Sequence, residues 1–127
     1  MSYSIILPSY KEAKNLDIII DQIQKYMNKK VFEIIVVDDF SNDGSEKILF
    51  KKQKRYKNLF FFLRKSSDKS LAKSIYKGIT LAKKQNIIVM DSDFNHKPKD
   101  LKILIEKYEK KKLDFIIGSR FENFKFK

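Results

Sequence analysis

Two aspartates, Asp91 and Asp93, close a short apolar run, Ile87-Ile88-Val89-Met90. Carboxylates placed that close repel unless something positive joins them, and a hard divalent cation is the usual bridge. The run is too short for a helix and too apolar for a loop, so it reads as a buried strand of a parallel sheet. In open α/β sheets, ligands bind just beyond the carboxyl ends of the strands. Asp91 and Asp93 fall there. A second pair, Asp38-Asp39, ends another apolar run, Phe32–Val37. In such a cluster one carboxylate can accept hydrogen bonds from a ribose or a base, while others hold Mg²⁺ or Mn²⁺ against a diphosphate. Strand-end aspartates also serve as helix caps and turn formers. That plainer role stands beside metal binding for Asp91 and Asp93, and is preferred for Asp43, next to Gly44.

Other chemistries lack their residues. The first strand leads into Pro8-Ser9-Tyr10-Lys11-Glu12 rather than a glycine-rich dinucleotide turn, and the chain has only 3 glycines. It has no P-loop and no nucleophile elbow. His96 is the sole histidine, and there is no cysteine for a disulfide, a zinc site or a redox pair. A phosphate here is therefore met by metal and arginine. His96 itself reads as a capping or surface hydrogen-bonding group near Pro98.

The elements that would position these residues alternate. Strands are expected at Tyr3–Leu7 (closed by Pro8), Phe32–Val37, Asn58–Leu63, the run ending at Asp91, and Asp114–Gly118. Between them, Leu16, Ile19, Ile20, Ile23 and Met27 recur at helical spacing, with Asn15 as N-cap. Ser45–Tyr56 is a charged helix expected on the outside. Ser67 or Asp68 caps a third helix whose Leu71, Ala72, Ile75, Ile79 and Ala82 share a face. Gly78 in mid-helix costs about 1 kcal/mol against alanine, which implies close packing. Pro98 suits the first turn of a fourth helix, with Leu101, Leu104, Ile105 and Tyr108 as its core stripe. The run Phe60-Phe61-Phe62 reads as strand core. This order implies an α/β fold with a mostly parallel sheet and helices on both faces.

The 127 residues suit one domain. The net charge of +12 suits a solubilising surface, then an anionic membrane, and least of all nucleic acid, for which no motif is present. The N-terminus resembles no signal peptide, and no apolar run reaches the length of a membrane span. A cytoplasmic protein, peripheral at most to the membrane, is expected.

Four segments carry a resemblance: Leu7–Leu16 (LPSYKEAKNL), Val36–Ser45 (VVDDFSNDGS), Met90–Pro98 (MDSDFNHKP) and Ile117–Phe121 (IGSRF). Together, in this order, they are similar to the nucleotide-binding half of family-2 glycosyltransferases of the GT-A fold. The dolichol- or polyprenyl-phosphate mannosyltransferase-like branch is nearest. The resemblance implies that Pro8, Tyr10 and Glu12 border the nucleoside and that Val37 and Asp39 hold the base edge. It makes Asp91-Ser92-Asp93 the family's D-x-D, with Asp93 and Asn95 on the metal and Asp91 on ribose or metal. Arg120 would neutralise phosphate charge. It further implies a UDP- or GDP-sugar donor, Mg²⁺ or Mn²⁺, inversion at the anomeric carbon, and a polyprenyl phosphate acceptor, with a saccharide as the alternative. Family members run on past G-S-R through an acceptor-binding segment, so residues 1–127 are expected to form a single domain lacking most of that part. A non-catalytic nucleotide-binding remnant is the reading from another class.

Overall fold

The computed structural model describes residues 1–118. Their elements are β1 (Ser2–Ser9), α1 (Ala13–Tyr26), β2 (Val31–Asp38), α2 (Ser45–Arg55), β3 (Leu59–Leu63), α3 (Leu71–Leu81), β4 (Asn86–Val89) and α4 (Asp100–Lys110). The sheet runs β3-β2-β1-β4, and every adjacent pair is parallel. All four carboxyl ends therefore meet at one edge.

Side chains alternate across the sheet. Tyr3, Ile5 and Leu7 of β1, with Ile34 and Val36 of β2, turn to the face covered by α1, α2 and α4 through Leu16, Ile19, Ile20, Ile23, Leu49, Leu101 and Ile105. Among the described residues the opposite face carries α3 alone, so helices do lie on both faces. There α3 buries Ser74 and Gly78, while Leu71 and Ile79 of the expected stripe are 61% and 41% exposed. The small residues win because the helix sits so low on the sheet. A Cβ on Gly78 would come 2.4 Å from Ile6 Cγ2. Gly78→Ala is accordingly expected to destabilise the domain by about 1–2 kcal/mol, because overpacking of about 1–3 kcal/mol exceeds the roughly 1 kcal/mol gained in helix propensity. Urea midpoints test this. In an Ile6→Ala background the penalty should shrink.

Several boundaries differ from the sequence reading. Helix α1 starts two residues before Asn15, because Asp43 from another loop accepts the Ala13 N–H at 3.3 Å. Asn15 is inside the helix and bonds Glu12 at 2.6 Å. The cap of α3 is Ser70, which accepts from Lys73 N, rather than Ser67 or Asp68. Pro98 lies in the turn before α4, where its carbonyl accepts from Leu101 N at 3.1 Å. Charged α2 does lie outermost, yet it buries Lys52 between Asp17 (3.1 Å) and Asp21 (2.7 Å) of α1. Burial alone would raise Asp21, but hydrogen bonds from Lys52 and Tyr56 outweigh it and hold its carboxyl below the usual range. Lys30 at 3.0 Å and the Tyr3 hydroxyl tie Glu109 of α4 to the amino end of the sheet.

Both outer strands are less buried than their composition suggests. In β3, Leu59 is buried but Phe60 and Phe62 are 46% and 39% exposed. In β4, Ile87 and Val89 are 45% and 42% exposed. Among the described residues each strand is an edge, and α3 covers only the middle of that face. The expected fifth strand is absent among the described residues. Asp114–Gly118 joins no ladder. Extended backbone needs ladder partners to persist, and this run instead brings Gly118 against Leu104 of α4.

Candidate functional site

Pro8 opens the site. Met90 N donates to Ile6 O at 3.1 Å, and Asp39 N to Ser9 O at 2.8 Å. Alternate residues of β1 thus face β4 and β2, and Pro8 faces the β4 side just where that ladder stops. Its missing N–H leaves no donor there. Its carbonyl instead accepts from Ser92 Oγ at 3.1 Å. The middle residue of Asp91-Ser92-Asp93 is thereby fastened to β1, and it is buried.

The two flanking aspartates stay accessible, Asp93 more than Asp91. Asp91 N donates to His96 Nδ1 at 2.8 Å, which places His96 in a hydrogen-bonding role. Asp93 accepts from Asn95 N at 2.9 Å and Asn95 Nδ2 at 2.7 Å. Phe94 takes a left-handed φ of 66° between them, and that turn folds Asn95 back onto Asp93. Asn95 keeps its amide oxygen for another partner. Two carboxylates and an amide oxygen are a hard donor set, suited to Mg²⁺ or Mn²⁺. No group of three or more His, Cys, Asp or Glu side chains stands together among the described residues. A cation here would therefore draw the rest of its shell from diphosphate and water, as Mg²⁺ commonly does.

The wall on the β2 side is laced by hydrogen bonds. Asp38 is buried and accepts from Ser41 N (2.9 Å) and Ser41 Oγ (2.5 Å). Burial pushes its carboxyl up despite those bonds, so Asp38 is a structural member of the pair. Lys11 N reaches Ser41 Oγ at 2.7 Å, joining the loops after β1 and β2. Asp43 accepts from Ser45 Oγ at 2.6 Å and Ser45 N at 3.1 Å, the turn-forming role expected of it beside Gly44.

Asp39 lies in the site wall, buried, and both its oxygens are engaged. Arg64 Nη1 donates to one at 2.7 Å and Ser70 N to the other at 2.7 Å. Arg64 also reaches the Ser70 carbonyl at 3.1 Å. The sequence reading missed Arg64. The available signal was an arginine directly after the third strand, on the same edge as an aspartate pair. Val37 is completely buried inside the ladder, which keeps its side chain from any ligand. Tyr10 is 39% exposed, and Lys69 Nζ bonds its hydroxyl at 2.5 Å and so lowers its pKa. Glu12 faces the α1 start through Asn15. The structure thus assembles Pro8, Tyr10, Asp39, Asp91, Ser92, Asp93 and Asn95 along one edge. Arg120 lies outside the described residues.

The model of glycosyl transferase family 2 matches residues 4–126. An uncharacterized protein of Methanocaldococcus jannaschii is 34% identical over 119 residues, covering 91% of this chain and 50% of that protein. A dolichol-phosphate mannosyltransferase of Pyrococcus furiosus is 31% identical over 121 residues, covering 95% of this chain and 34% of that one. The chain therefore spans half the length of the first relative and about a third of the second. Among solved structures, a mannosyltransferase from Pyrobaculum calidifontis in complex with GDP-Man and Mn²⁺ superposes with a TM-score of 0.68 at 21% identity, over 84% of this chain and 32% of that one.

Proposed function

Because the chain belongs to glycosyl transferase family 2 and folds as the amino-terminal part of a GT-A domain, we propose that residues 1–118 hold the nucleotide-diphospho-sugar donor of a hexosyltransferase. The observation that carries this reading is the single edge of the sheet at which Asp39, Asp91 and Asp93 follow the carboxyl ends of parallel strands. Tyr10 flanks the nucleoside with its ring. Asp39 and Arg64 offer an acceptor and a donor to the base edge. Asp93 and Asn95, with Asp91 on metal or ribose, hold Mg²⁺ or Mn²⁺. When bound, that cation neutralises charge growing on the leaving diphosphate. Ser92, held to Pro8, fastens the segment that carries the two aspartates to β1, and Arg120 adds positive charge for phosphate.

The acceptor proposed is a polyprenyl phosphate at the cytoplasmic membrane face, with inversion at the anomeric carbon. A phosphate acceptor is already ionised, so attack needs little help from a base. A net charge of +12 favours an anionic bilayer surface. Among the described residues no helix is long and apolar enough to cross a membrane. A second reading is favoured by the share of its relatives that the chain covers: these residues bind donor, and turnover needs further chain.

Calorimetric titration with GDP- and UDP-sugars, with Mn²⁺ or Mg²⁺ and again with chelator, tests the reading. One donor should bind only in the presence of cation. Equal binding with and without cation for every donor would reject it. Release of sugar to a polyprenyl phosphate would separate the first reading from the second.

A further inference from the structure

The opposite side of the sheet carries a feature that donor binding does not use. Among the described residues β3 is an outer strand, paired only with β2. Ile34 N donates to Asn58 O at 2.9 Å and Arg64 N to Asp38 O at 2.8 Å. Even-numbered residues here therefore turn their main chain to β2, and Leu59, Phe61 and Leu63 turn theirs outward. Leu59 is satisfied locally, its N–H by the Tyr56 carbonyl at 3.2 Å and its carbonyl by Gln53 Nε2 at 3.1 Å. The outward groups of Phe61 and Leu63 have no hydrogen-bond partner among the described residues. Sheet edges of this kind are templates for another strand.

The flank of that edge is aromatic and rich in lysine, with Asp38, Asp43 and Glu46 also lining the larger groove. Two open grooves, about 360 Å³ and about 1130 Å³, meet at Phe50 and Lys54 and run between α2 and β3. Phe50 is 52% exposed and is fixed edge-on to Phe61, with ring centroids 5.0 Å apart. Lys47, Lys51 and Lys54 recur on one face of α2, and Lys57 follows at its end. None of these four is within 4.0 Å of a carboxylate among the described residues.

We propose that this edge docks an extended acidic polypeptide as an added strand beside β3. Its main chain pairs with Phe61 and Leu63, its apolar side chains meet the exposed rings of Phe60 and Phe62 on the α3 face, and its carboxylates meet the α2 lysines on the other face. A row of donors and acceptors at every second residue is complementary to another peptide backbone. A single-stranded nucleic acid would satisfy the lysines and leave that row unmet. A bilayer would bury the row without partners, at several kcal/mol per group.

The test uses a fluorescent peptide of alternating glutamate and valine, followed by anisotropy. Saturable binding is expected, weakened about tenfold or more when the central residues of the peptide are N-methylated, since two ladder bonds at about 1 kcal/mol each are lost. The Lys51→Glu/Lys54→Glu variant should bind about tenfold more weakly as well, with an unchanged unfolding midpoint because both positions are exposed. Absence of binding overturns the proposal, as does equal affinity for the methylated peptide. Oligothymidine or phosphatidylglycerol vesicles binding where the peptide fails would also overturn it, and would assign the lysines to nucleic acid or to membrane.

Discussion

Asp93→Ala is expected to abolish cation-dependent binding of a nucleotide-diphospho-sugar while leaving the fold intact. Asp93 is exposed, and its hydrogen bonds are to Asn95 two residues along. Losing exposed local bonds changes stability by about 0.5 kcal/mol or less. Losing the carboxylate removes a principal ligand from a site whose protein share is already small. Each metal–oxygen contact to the diphosphate then weakens, at a cost of several kcal/mol, or about a hundredfold or more in affinity. Calorimetry in Mn²⁺ reads the affinity, and thermal unfolding without ligand reads the fold. Unchanged donor affinity in the variant would place the cation elsewhere.

Asp39→Ala should behave in the opposite way and damage the fold first. The Asp39 and Arg64 side chains are 9% and 11% exposed. Truncating the aspartate strands a guanidinium in the protein and frees the Ser70 N–H. Breaking a buried pair on one side costs about 3–5 kcal/mol, out of a total that is typically about 5–15 kcal/mol. Asp39→Asn retains one carbonyl oxygen for Ser70 N, and should lose less. The Asp39→Asn/Arg64→Met double variant should recover part of that loss, because no charge is left unpaired. Urea titrations of the set measure the coupling directly. A loss below about 1 kcal/mol in Asp39→Ala would mean that water reaches the pair. In every folded variant of the set, nucleoside binding should fall.

The parts of the fold visible in sequence were those fixed by local pattern. Ile87–Met90, Phe32–Val37 and the Leu16–Met27 stripe announced their elements because period and length suffice there. The strand-end location of Asp91 and Asp93 followed from the alternation. What escaped depended on distant partners. Asn15 looked like a cap because the group that takes the Ala13 N–H is Asp43, from a different loop. Leu71 and Ile79 looked like core because a helix stripe carries no record of how low the helix sits, and Ser74 and Gly78 took that place. Phe60 and Phe62 looked buried because composition does not tell an edge strand from a central one. Nothing near Asp39 in the sequence showed that Arg64 and Ser70 N engage both its oxygens. Arg64 stood out only by its place directly after the third strand, because its significance rests on a contact 25 residues away.

The pairing of β1 with β4 has a kinetic consequence. β2 reaches β1 across about 30 residues, whereas β4 must close a loop of about 80, a difference of roughly 1 kcal/mol in chain entropy. With only four residues in the strand, few contacts repay that closure. The transition state for folding should therefore contain β1, β2 and α1, with β4 and its aspartates added afterwards. A donor and its cation would then bind only after the barrier is crossed. They should slow unfolding and leave the folding limb of a chevron plot unmoved, whereas faster folding with bound donor would place β4 inside the nucleus.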